Sequence, residues 1–521
     1  MDARPERDPP QRNVEPRTGL GRRVLGGLFW AFSGTLVQGA LEVIVTMALA
    51  RLLAPAMFGA VAAALVAIKI AGFIANLGLT GALIQRETLD DEQVRAAFAV
   101  SIHFGLVVCL LLQLGAAPIA AFFQNDVIED IVRLLSVAIP IANASQVALA
   151  LMRRRMRFRQ IATCAVISFG IGYGVVGIGL ALSGYGVWAL AGAHLAQVCC
   201  NTVLLLTLQP HPKAVLFRWS PLVELLRFGG GMIVWRTAAN SAIEADNLVV
   251  GRWLGAEALG LYSRAYWLAA TPAVLFGRGI ASVLFPVLSR LQGDSARLAV
   301  AYRRGIAATN LVAFPASVAI VILAPEIVAV VLGEQWGAAV VPLRILAVGL
   351  LFRLGVRVSD SLTAAAGAVY RTAAVQVVYV IAVFAGALVG RYWGLGGVAT
   401  GVFCALFLNY VLMTRLTLEM TSLPVAKLLA TFVPALLTAA AIAAELLAVR
   451  GWLASRSAPP LAILAGAAVA TGVTSAVILR LFPRAFIGDD GLWAVHLVLR
   501  RLPDSISTAA SRLIAPYARP T

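Results

Sequence analysis

Long apolar runs, separated by short polar turns, recur along the chain from residue 28 to residue 482. Each run has about the length of a helix that crosses a bilayer, which needs roughly 20 apolar residues. The pattern predicts fourteen membrane-spanning helices, which lie at approximately 28–53, 57–80, 97–122, 129–151, 161–182, 186–208, 228–251, 259–288, 304–324, 339–366, 372–390, 395–418, 425–449 and 460–482. An even number of spans places both termini on one side of the membrane.

The composition agrees with this pattern. Of 521 residues, 60% are hydrophobic and only 13% are charged, and the mean hydropathy is +0.88. Soluble domains carry about 25% charged residues, so the composition indicates an all-α polytopic membrane protein. The five cysteines all fall within apolar runs and none has metal-ligand spacing, which favours a packing role for them.

The seventh predicted span, within residues 228–267, carries polar residues where a bilayer disfavours them. Arg236, Asn240, Glu244 and Asn247 follow one another at spacings of four, four and three, which places them on one face of a helix. The stripe climbs roughly 16 Å at ~1.5 Å per residue, and a lone charge at the bilayer centre costs about 2.5–3.5 kcal/mol. A face that holds both signs of charge and two amides therefore predicts a water-filled cavity lined by protein.

Four other predicted spans carry similar stripes. These are Thr35, Gln38, Glu42 and Thr46 on the first span; Lys69, Asn76 and Thr80 on the second; Arg264, Thr271 and Arg278 on the eighth; and Arg353, Arg357 and Asp360 on the tenth. Because the stripes concentrate on a few spans, we interpret the protein as a transporter built around one charged cavity. The residues expected to line that cavity are Glu42, Lys69, Arg236, Asn240, Glu244, Asn247, Arg278, Arg353, Arg357 and Asp360.

Simpler explanations exist for several of the charged groups. Lys69 and Arg264 could extend along apolar surface to the interface, or pair with a local acid. Asp246 lies on a different face of its helix from Glu244, so one of the two is expected to form a structural pair with a neighbouring helix. His103 on the third span is expected to be a hydrogen-bonded packing residue rather than a proton carrier.

The net charge of +17 is distributed unevenly between the two sides of the predicted topology. Twenty-nine lysines and arginines fall in the termini and in the loops on their side. Only five fall on the opposite side: Arg51, Arg252, Arg391, Arg450 and Arg456. Since cytoplasmic loops carry the excess of basic residues, both termini are predicted to lie in the cytoplasm. The basic residues form no continuous patch and accompany no nucleic-acid-binding motif, which argues against nucleic-acid binding.

The chain contains a weak internal repeat. Arg51-Leu52-Leu53 and Gly59 recur 201 positions later as Arg252-Trp253-Leu254 and Gly260. The repeat predicts two six-helix lobes of equal orientation, related by a pseudo-twofold axis along the membrane normal. The expected division is a cytoplasmic segment at 1–27, an N-lobe at 28–208, a cytoplasmic linker at 209–227, a C-lobe at 228–418, two additional spans at 419–482 and a cytoplasmic tail at 483–521.

The tail holds a short amphipathic stretch, Leu492–Leu502, with a tryptophan and two arginines. This composition favours a helix that lies on anionic lipid. A disordered tail is the alternative.

Motifs of enzymatic catalysis do not occur in the sequence. It contains no phosphate-binding GxxxxGK[ST] motif, no HExxH motif and no nucleophile elbow. We therefore expect a transporter without enzymatic activity and without a cofactor. Transport energy would come from an ion gradient, with H+ or Na+ as the coupling ion, from the substrate's own gradient, or from a partner.

Several motifs in a fixed order resemble those of bacterial polysaccharide-export flippases, which form the colanic-acid-exporter branch of the multidrug/oligosaccharidyl-lipid/polysaccharide exporter superfamily. The stretch DNLVVGRWLGAEALGLYSRAY (Asp246–Tyr266) is similar to a signature of that group. Other matching motifs are LGL at 77–79, ALIQR at 82–86, RRRMRF at 153–158, GYGVWA at 184–189, LFP at 284–286 and GEQW at 333–336. The resemblance covers about residues 25–420.

This resemblance implies a function. Such proteins move undecaprenyl-pyrophosphate-linked oligosaccharides from the cytoplasmic to the periplasmic leaflet of the bacterial inner membrane, as two lobes rock around a cavity. Arg236, Arg278, Arg353 and Arg357 would then bind phosphate or acidic sugars. The implied partners are the lipid-linked oligosaccharide, membrane lipids, and a polysaccharide polymerase with its chain-length proteins.

Two alternatives remain open from the sequence. A drug/cation antiporter of the same superfamily shares the two-lobe plan, but its cavity should be smaller and mainly acidic. A membrane glycosyltransferase or polysaccharide polymerase should carry a sizeable outer loop or a cytosolic catalytic domain, whereas the loops of this chain are short.

Overall fold

The computed structural model describes residues 17–75, 83, 89–213, 244–291, 293–481 and 483–499, and the described part is built from helices without a β-strand. Eleven stretches of it are long and apolar enough to cross a membrane. One of these, Tyr370–Thr421, contains two successive helices. The all-α polytopic architecture expected from the sequence is confirmed.

The N-lobe contains the helices up to residue 208. They are α1 (Arg17–Leu52), α2 (Pro55–Ala75), α3 (Asp91–Phe123), α4 (Val127–Ser136), α5 (Ala138–Arg154), α6 (Phe158–Phe169), α7 (Ile178–Leu182) and α8 (Val187–Leu208), with a π-helical segment, Gly170–Gly177, before α7. The first helix begins before the expected position 28. Gly184 and Gly186, with φ angles of +80° and +55°, separate α7 from α8, because left-handed backbone strongly favours glycine.

The C-lobe repeats this plan with longer helices. Residues 244–253 form α9, and the helices that follow are α10 (Gly255–Arg290), α11 (Ser295–Val331), α12 (Val340–Val348), α13 (Leu350–Ala365), α14 (Val369–Gly390) and α15 (Gly394–Thr421). Short 3₁₀ turns precede α12 (Glu334–Ala339) and α15 (Arg391–Trp393). Every predicted span therefore has a helix in the described part, although the seventh is described only from residue 244.

Two further spans follow the C-lobe. The helices are α16 (Val425–Leu429), α17 (Phe432–Ala454), α18 (Pro460–Leu481) and α19 (Pro483–Leu499). The helices α17 and α18 pack against α11, and the Nε atom of Arg450 lies 2.7 Å from the Oε1 atom of Glu326 on α11. They are thus attached to the C-lobe through α11.

The tail helix α19 packs on protein. It kinks at Gly488, where φ is +70°, and it contacts α11 and α17. The Asp490 carboxylate accepts a hydrogen bond from Arg303 Nη2 at 3.0 Å, and the Arg304 guanidinium lies 4.8 Å from the centre of the Trp493 ring. The carboxylate of Asp490 thus contacts two arginines of α11, which hold this part of the tail against the C-lobe. Most of the stretch Leu492–Leu502, which was expected to lie on lipid, falls outside the residues whose side chains are described.

The two ends of the helix bundle differ in charge. We call the end where α1 begins and α19 lies the near end, and the opposite end the far end. The five arginines predicted on the far side each contact a described partner: Arg51 the carbonyls of Met47 and Val330, Arg252 the Phe122 ring, Arg391 the Trp253 ring, Arg450 the Glu326 carboxylate and Arg456 the Trp452 ring. These contacts stabilise basic groups on a side that disfavours them.

Candidate functional site between the lobes

The lobes meet most closely at the far end, where α2 crosses α10. A Cβ atom on Gly59 would lie 1.6 Å from the carbonyl oxygen of Ala256, and one on Gly260 would lie 1.9 Å from the carbonyl oxygen of Pro55. Both positions therefore require glycine, because their backbones touch directly. The two glycines are the pair 201 positions apart in the internal repeat, and their reciprocal contact is the one that a twofold axis between the lobes would produce.

Uncharged hydrogen bonds and an aromatic contact complete this closure. Trp336 of the C-lobe is fully buried, and its Nε1 atom donates to the carbonyl of Ala50 at the end of α1, at 3.0 Å. Gln335 Nε2 donates to the same carbonyl at 2.6 Å. The Trp336 ring packs edge-on against Phe58 of α2, with ring centres 5.2 Å apart. Two arginines also cross between the lobes here, since Arg51 donates to the Val330 carbonyl at 2.6 Å and Arg252 lies 5.7 Å from the centre of the Phe122 ring. The far end is thus closed by backbone, ring and arginine contacts, without a pair of opposite charges in the described part of the interface.

Charged residues of both lobes meet deeper in the interface. The Nζ atom of Lys69 on α2 lies 2.8 Å from the Oε1 atom of Glu244 on α9, so this ion pair joins the N-lobe to the C-lobe. The other carboxylate oxygen of Glu244 accepts a hydrogen bond from Asn247 at 3.1 Å. The Lys69 side chain is 50% exposed, whereas that of Glu244 is 6% exposed. Lys69 is therefore half-exposed at the lobe interface, and the buried Glu244 carboxylate holds its charge from the protein side.

A second contact that involves a charge joins the lobes. Here the basic residue belongs to the C-lobe and its partners belong to the N-lobe. The guanidinium of Arg264 on α10 lies 5.1 Å from the centre of the Phe58 ring on α2, and it interacts electrostatically with Glu42 on α1 and with Tyr173. Glu42 also accepts a hydrogen bond from Gln38 at 2.9 Å. In each lobe, the glutamate on the first helix faces a basic residue on the second helix of the other lobe.

The interior of the C-lobe holds a third charged group. Arg353 Nη1 on α13 donates to the hydroxyl of Tyr266 at 2.7 Å. Its Nε and Nη2 atoms are buried and have no hydrogen-bond partner in the part of the chain that is described. Nearby, Asp246 accepts from the Tyr262 hydroxyl at 2.8 Å and from the backbone amide of Asn247 at 2.9 Å. Arg353 is therefore a buried cation, two of whose donors are unpaired within the described ranges, beside an acid whose oxygens both accept hydrogen bonds.

The polar stripe continues along α13 with Arg357 and Asp360. Arg357 is exposed, its stem runs close to Gly277 on α10, and its charge attracts that of Asp360 one turn further on. Tyr379 on α14 interacts electrostatically with both Arg353 and Arg357. This group thus combines two arginines and one carboxylate on α13 with one tyrosine on α14.

The glycine-rich π-helical segment places Tyr173 beside this interface. The Tyr173 ring stacks on Phe169, with centres 5.1 Å apart, and its hydroxyl lies 3.4 Å from Nδ1 of His194. A Cβ atom on Gly172 would approach the carbonyl of Ala193 to 2.7 Å, so the segment packs directly on α8. π-Helical turns inside α-helices occur frequently at functional sites.

The structure brings together part of the predicted cavity lining. Glu42, Lys69, Glu244 and Asn247 lie at the lobe interface, and Arg353, Arg357 and Asp360 form the stripe on α13. Arg236 and Asn240 fall outside the described residues. The backbone of Arg278 lies on α10, but its side chain is not among those described. Lys69 pairs across the lobes and not with a local acid.

Sequence reasoning missed the aromatic members of the site. Tyr262 and Tyr266 follow Asp246 in the motif that carries the family resemblance, four residues apart on one face of α10. That spacing, next to a buried acid, was the available signal. Asp246 indeed forms the structural pair expected for one of the two acids, with Tyr262. Among the described residues, no group of three or more His, Cys, Asp or Glu side chains could hold a metal ion.

Comparison with known sequences identifies relatives. Residues 48–341, more than half of the chain, match the family profile described as "Polysaccharide biosynthesis protein". The succinoglycan biosynthesis transport protein ExoT of Rhizobium meliloti (strain 1021) is 28% identical over 310 residues, which are 60% of this chain and 63% of that protein, less than two thirds of its length. The lipopolysaccharide biosynthesis protein WzxC of Escherichia coli (strain K12) is 25% identical over 367 residues, 67% of this chain and 71% of that protein.

Solved structures show the same fold at low sequence identity. The lipid II flippase MurJ in its inward closed conformation superposes with a TM-score of 0.66 at 13% identity, covering 89% of this chain and 99% of that one. An inward-facing multidrug resistance MATE family transporter of the MOP superfamily superposes with a TM-score of 0.57 at 16% identity, covering 77% of this chain and 94% of that one. At this identity the likeness concerns the fold, which is that of an all-α membrane transporter with many spans.

Proposed function

Because the chain belongs to the polysaccharide biosynthesis protein family, we propose that it flips undecaprenyl-pyrophosphate-linked oligosaccharides across the bacterial inner membrane. The head group would pass from the cytoplasmic to the periplasmic leaflet for the assembly of exopolysaccharide, O-antigen or capsule. The observation that carries the proposal is the meeting of charged groups from both lobes, with the Lys69–Glu244 pair between them.

A charged passage suits this substrate for a physical reason. A diphosphate with several sugars cannot enter hydrocarbon, because its charges and hydroxyls would lose their hydrogen bonds to water. A crevice lined by polar groups replaces that water. Lys69, Arg353 and Arg357 offer charge-assisted hydrogen bonds to a diphosphate or to acidic sugars, and the unused Nε and Nη2 donors of Arg353 can bind an oxyanion side-on.

The position of the closure supports alternating access. The glycine contact and the hydrogen bonds of Gln335 and Trp336 join the lobes at the far end. Since the near end carries the excess of basic residues, it should face the cytoplasm. The described arrangement then corresponds to a state that receives substrate from the cytoplasmic side, and release would require the far end to open.

The acidic residues would serve two roles. Glu42, Glu244 and Asp360 separate the basic groups while the crevice is empty, and each could take up H+ or Na+ when a substrate anion draws its basic partner away. In proteoliposomes, collapse of the pH gradient or removal of Na+ should then slow flipping. Flipping at an unchanged rate under both conditions would overturn the coupling, and substrate-gradient-driven transport would replace it.

The test of the function itself uses two arginines of α13. Arg353→Ala and Arg357→Ala should each reduce surface polysaccharide at least tenfold while the protein remains in the membrane, because each removes a charge-assisted contact worth about 1.5–3 kcal/mol. Arg456→Ala, which removes a far-end arginine stacked on Trp452, is the matched control and should retain export. Normal export by both α13 variants would defeat the proposal.

A further inference from the structure

A cavity of about 290 Å³ opens at the near end of the C-lobe, outside the lobe interface. It lies between the first turns of α11 and the turn that joins α15 to α16. Its lining residues are Ser295, Ala296, Ala299, Val300, Arg303, Thr421, Ser422, Leu423, Pro424 and Lys427. No candidate transport residue is among them.

The polar part of this lining is cationic. Arg303 and Lys427 contribute two positive charges, and the lining contains no carboxylate. The hydroxyl groups of Ser295 and Ser422 are exposed, whereas that of Thr421 is buried and donates to the Thr417 carbonyl at 2.8 Å. Lys427 is exposed and forms no ion pair with any residue of the described ranges. Asp294, just before α11, is engaged elsewhere, since it caps the helix through the amide of Arg297 at 3.0 Å and lies 3.2 Å from the Arg297 guanidinium.

The tail helix fixes one of the two cations in place. Both carboxylate oxygens of Asp490 lie 3.0 Å from nitrogen atoms of Arg303, so the guanidinium is held at the cavity wall from behind. Lys427 has no such support, and its charge remains available to a ligand. An anion in the cavity would therefore be bound mainly by Lys427 and the exposed hydroxyl groups, next to an immobile arginine.

The remaining wall is apolar, and the cavity lies at the boundary of the membrane. Ala296, Ala299, Val300, Leu423 and Pro424 form this wall. The α15 span ends at Thr421 and the next long helix begins at Phe432, so we expect the opening to face the lipid head groups on the side with the basic excess. A ligand that fits this cavity therefore has an anionic group next to an apolar part, and it is found near the lipid head groups.

We propose that this cavity binds the headgroup of an anionic phospholipid. The phosphate lies against Lys427, Arg303 and the hydroxyls, and the glycerol with the upper acyl chain lies along the apolar wall. A zwitterionic phosphatidylcholine carries the same phosphate, but its trimethylammonium group meets two cations and no carboxylate. The site therefore selects lipids by net negative charge, independently of what the protein transports.

The test uses the full-length protein purified in a neutral detergent. Native mass spectrometry with dioleoylphosphatidylglycerol should show a bound lipid, and dioleoylphosphatidylcholine should bind at least fivefold more weakly. Lys427→Gln should weaken phosphatidylglycerol binding about fivefold, as expected for the loss of one basic contact with an anionic lipid. Lys427→Arg should preserve it. Because Lys427 is exposed, these variants should fold.

A matched control separates this site from general attraction to a basic surface. Arg297→Gln removes a basic residue near the cavity that does not line it, and it should leave phosphatidylglycerol binding unchanged. Equal binding of both lipids, or equal losses from Lys427→Gln and Arg297→Gln, would overturn the proposal. Thermal stabilisation by inorganic phosphate as large as that by phosphatidylglycerol would overturn the lipid assignment and make the cavity a site for a soluble anion. Each result is independent of polysaccharide export.

Discussion

The far end and the middle of the lobe interface are held together by different kinds of contact. At the far end, Gly59 and Gly260 bring two backbones into direct contact, and Trp336 bonds to a main-chain carbonyl. In the middle, Lys69 and Glu244 face each other as ions. The first region is closed by direct contact of two backbones, whereas the second contains a half-exposed charge.

The difference matches the separate demands of alternating access. A closure that opens and reforms should contain no pair of charges that would need to be buried anew at each cycle, because desolvation of ions costs several kcal/mol. Backbone and ring contacts avoid that penalty, and the two arginines that cross between the lobes there contact a carbonyl and a ring rather than a carboxylate. A path for a charged head group, in contrast, needs ions that water or substrate can reach. The half-exposed Lys69 meets that requirement.

The largest effect is expected from the glycine contact. Gly260→Ala places a Cβ atom 1.9 Å from the Pro55 carbonyl oxygen, so α2 and α10 must separate. The strain should exceed the ~1–3 kcal/mol typical of an overpacked core, and we expect loss of polysaccharide export with a lower thermal unfolding temperature of the purified protein. Gly337→Ala, at a far-end glycine with open space around it, is the control. Normal export by Gly260→Ala would show that the far end need not close.

An exchange of the two charges tests the role of the ion pair in the middle of the lobe interface. Lys69→Glu and Glu244→Lys each place like charges at the 2.8 Å contact and should abolish export. The double variant restores the ion pair, so its thermal stability should return to that of the wild-type protein. Its export should stay low, since the half-exposed side of the pair would then carry a negative charge toward an anionic head group.

Export is the decisive measurement for the swap. Lys69→Arg, which keeps the charge on the exposed side, should retain most of the activity and serves as its control. If the double variant exports polysaccharide at the wild-type level, the pair only locks the lobes, and Lys69 does not bind substrate.

The two regions also differed in how far the sequence could predict them. Helix positions follow from the lengths of apolar runs, which is local information, and the repeat spacing identified Gly59 and Gly260 as equivalent positions. The stripe of Arg353, Arg357 and Asp360 was visible because helical spacing is local too. These parts of the fold and of the candidate site needed no tertiary structure.

The sequence did not predict in the same way which distant residues contact each other. Lys69 had several acids within conceivable reach, and only the crossing of α2 and α10 brings it to Glu244. Tyr266 lies in an apolar run, where an aromatic residue indicates packing by default, and Trp336 lies in the short segment before the tenth predicted span. The bond between Tyr266 and Arg353 depends on helix packing within the C-lobe, and the bond from Trp336 to the Ala50 carbonyl depends on the contact between the lobes. Contacts between distant segments therefore account for what the sequence left open.

The smallest expected effect concerns a single hydrogen bond at the far end. Trp336→Phe keeps a ring against Phe58 but removes the 3.0 Å bond to the Ala50 carbonyl. The loss of one neutral hydrogen bond changes the equilibrium by about 1 kcal/mol, or roughly fivefold in the population of the opened far end. Maleimide labelling of Leu53→Cys, a position buried beside this contact, in a background without the native cysteines should speed up by that factor. Trp393→Phe, at a tryptophan that is 71% exposed, should leave the labelling rate unchanged, and an equal rate in both variants would mean that Trp336 fills space at the closure without holding it shut.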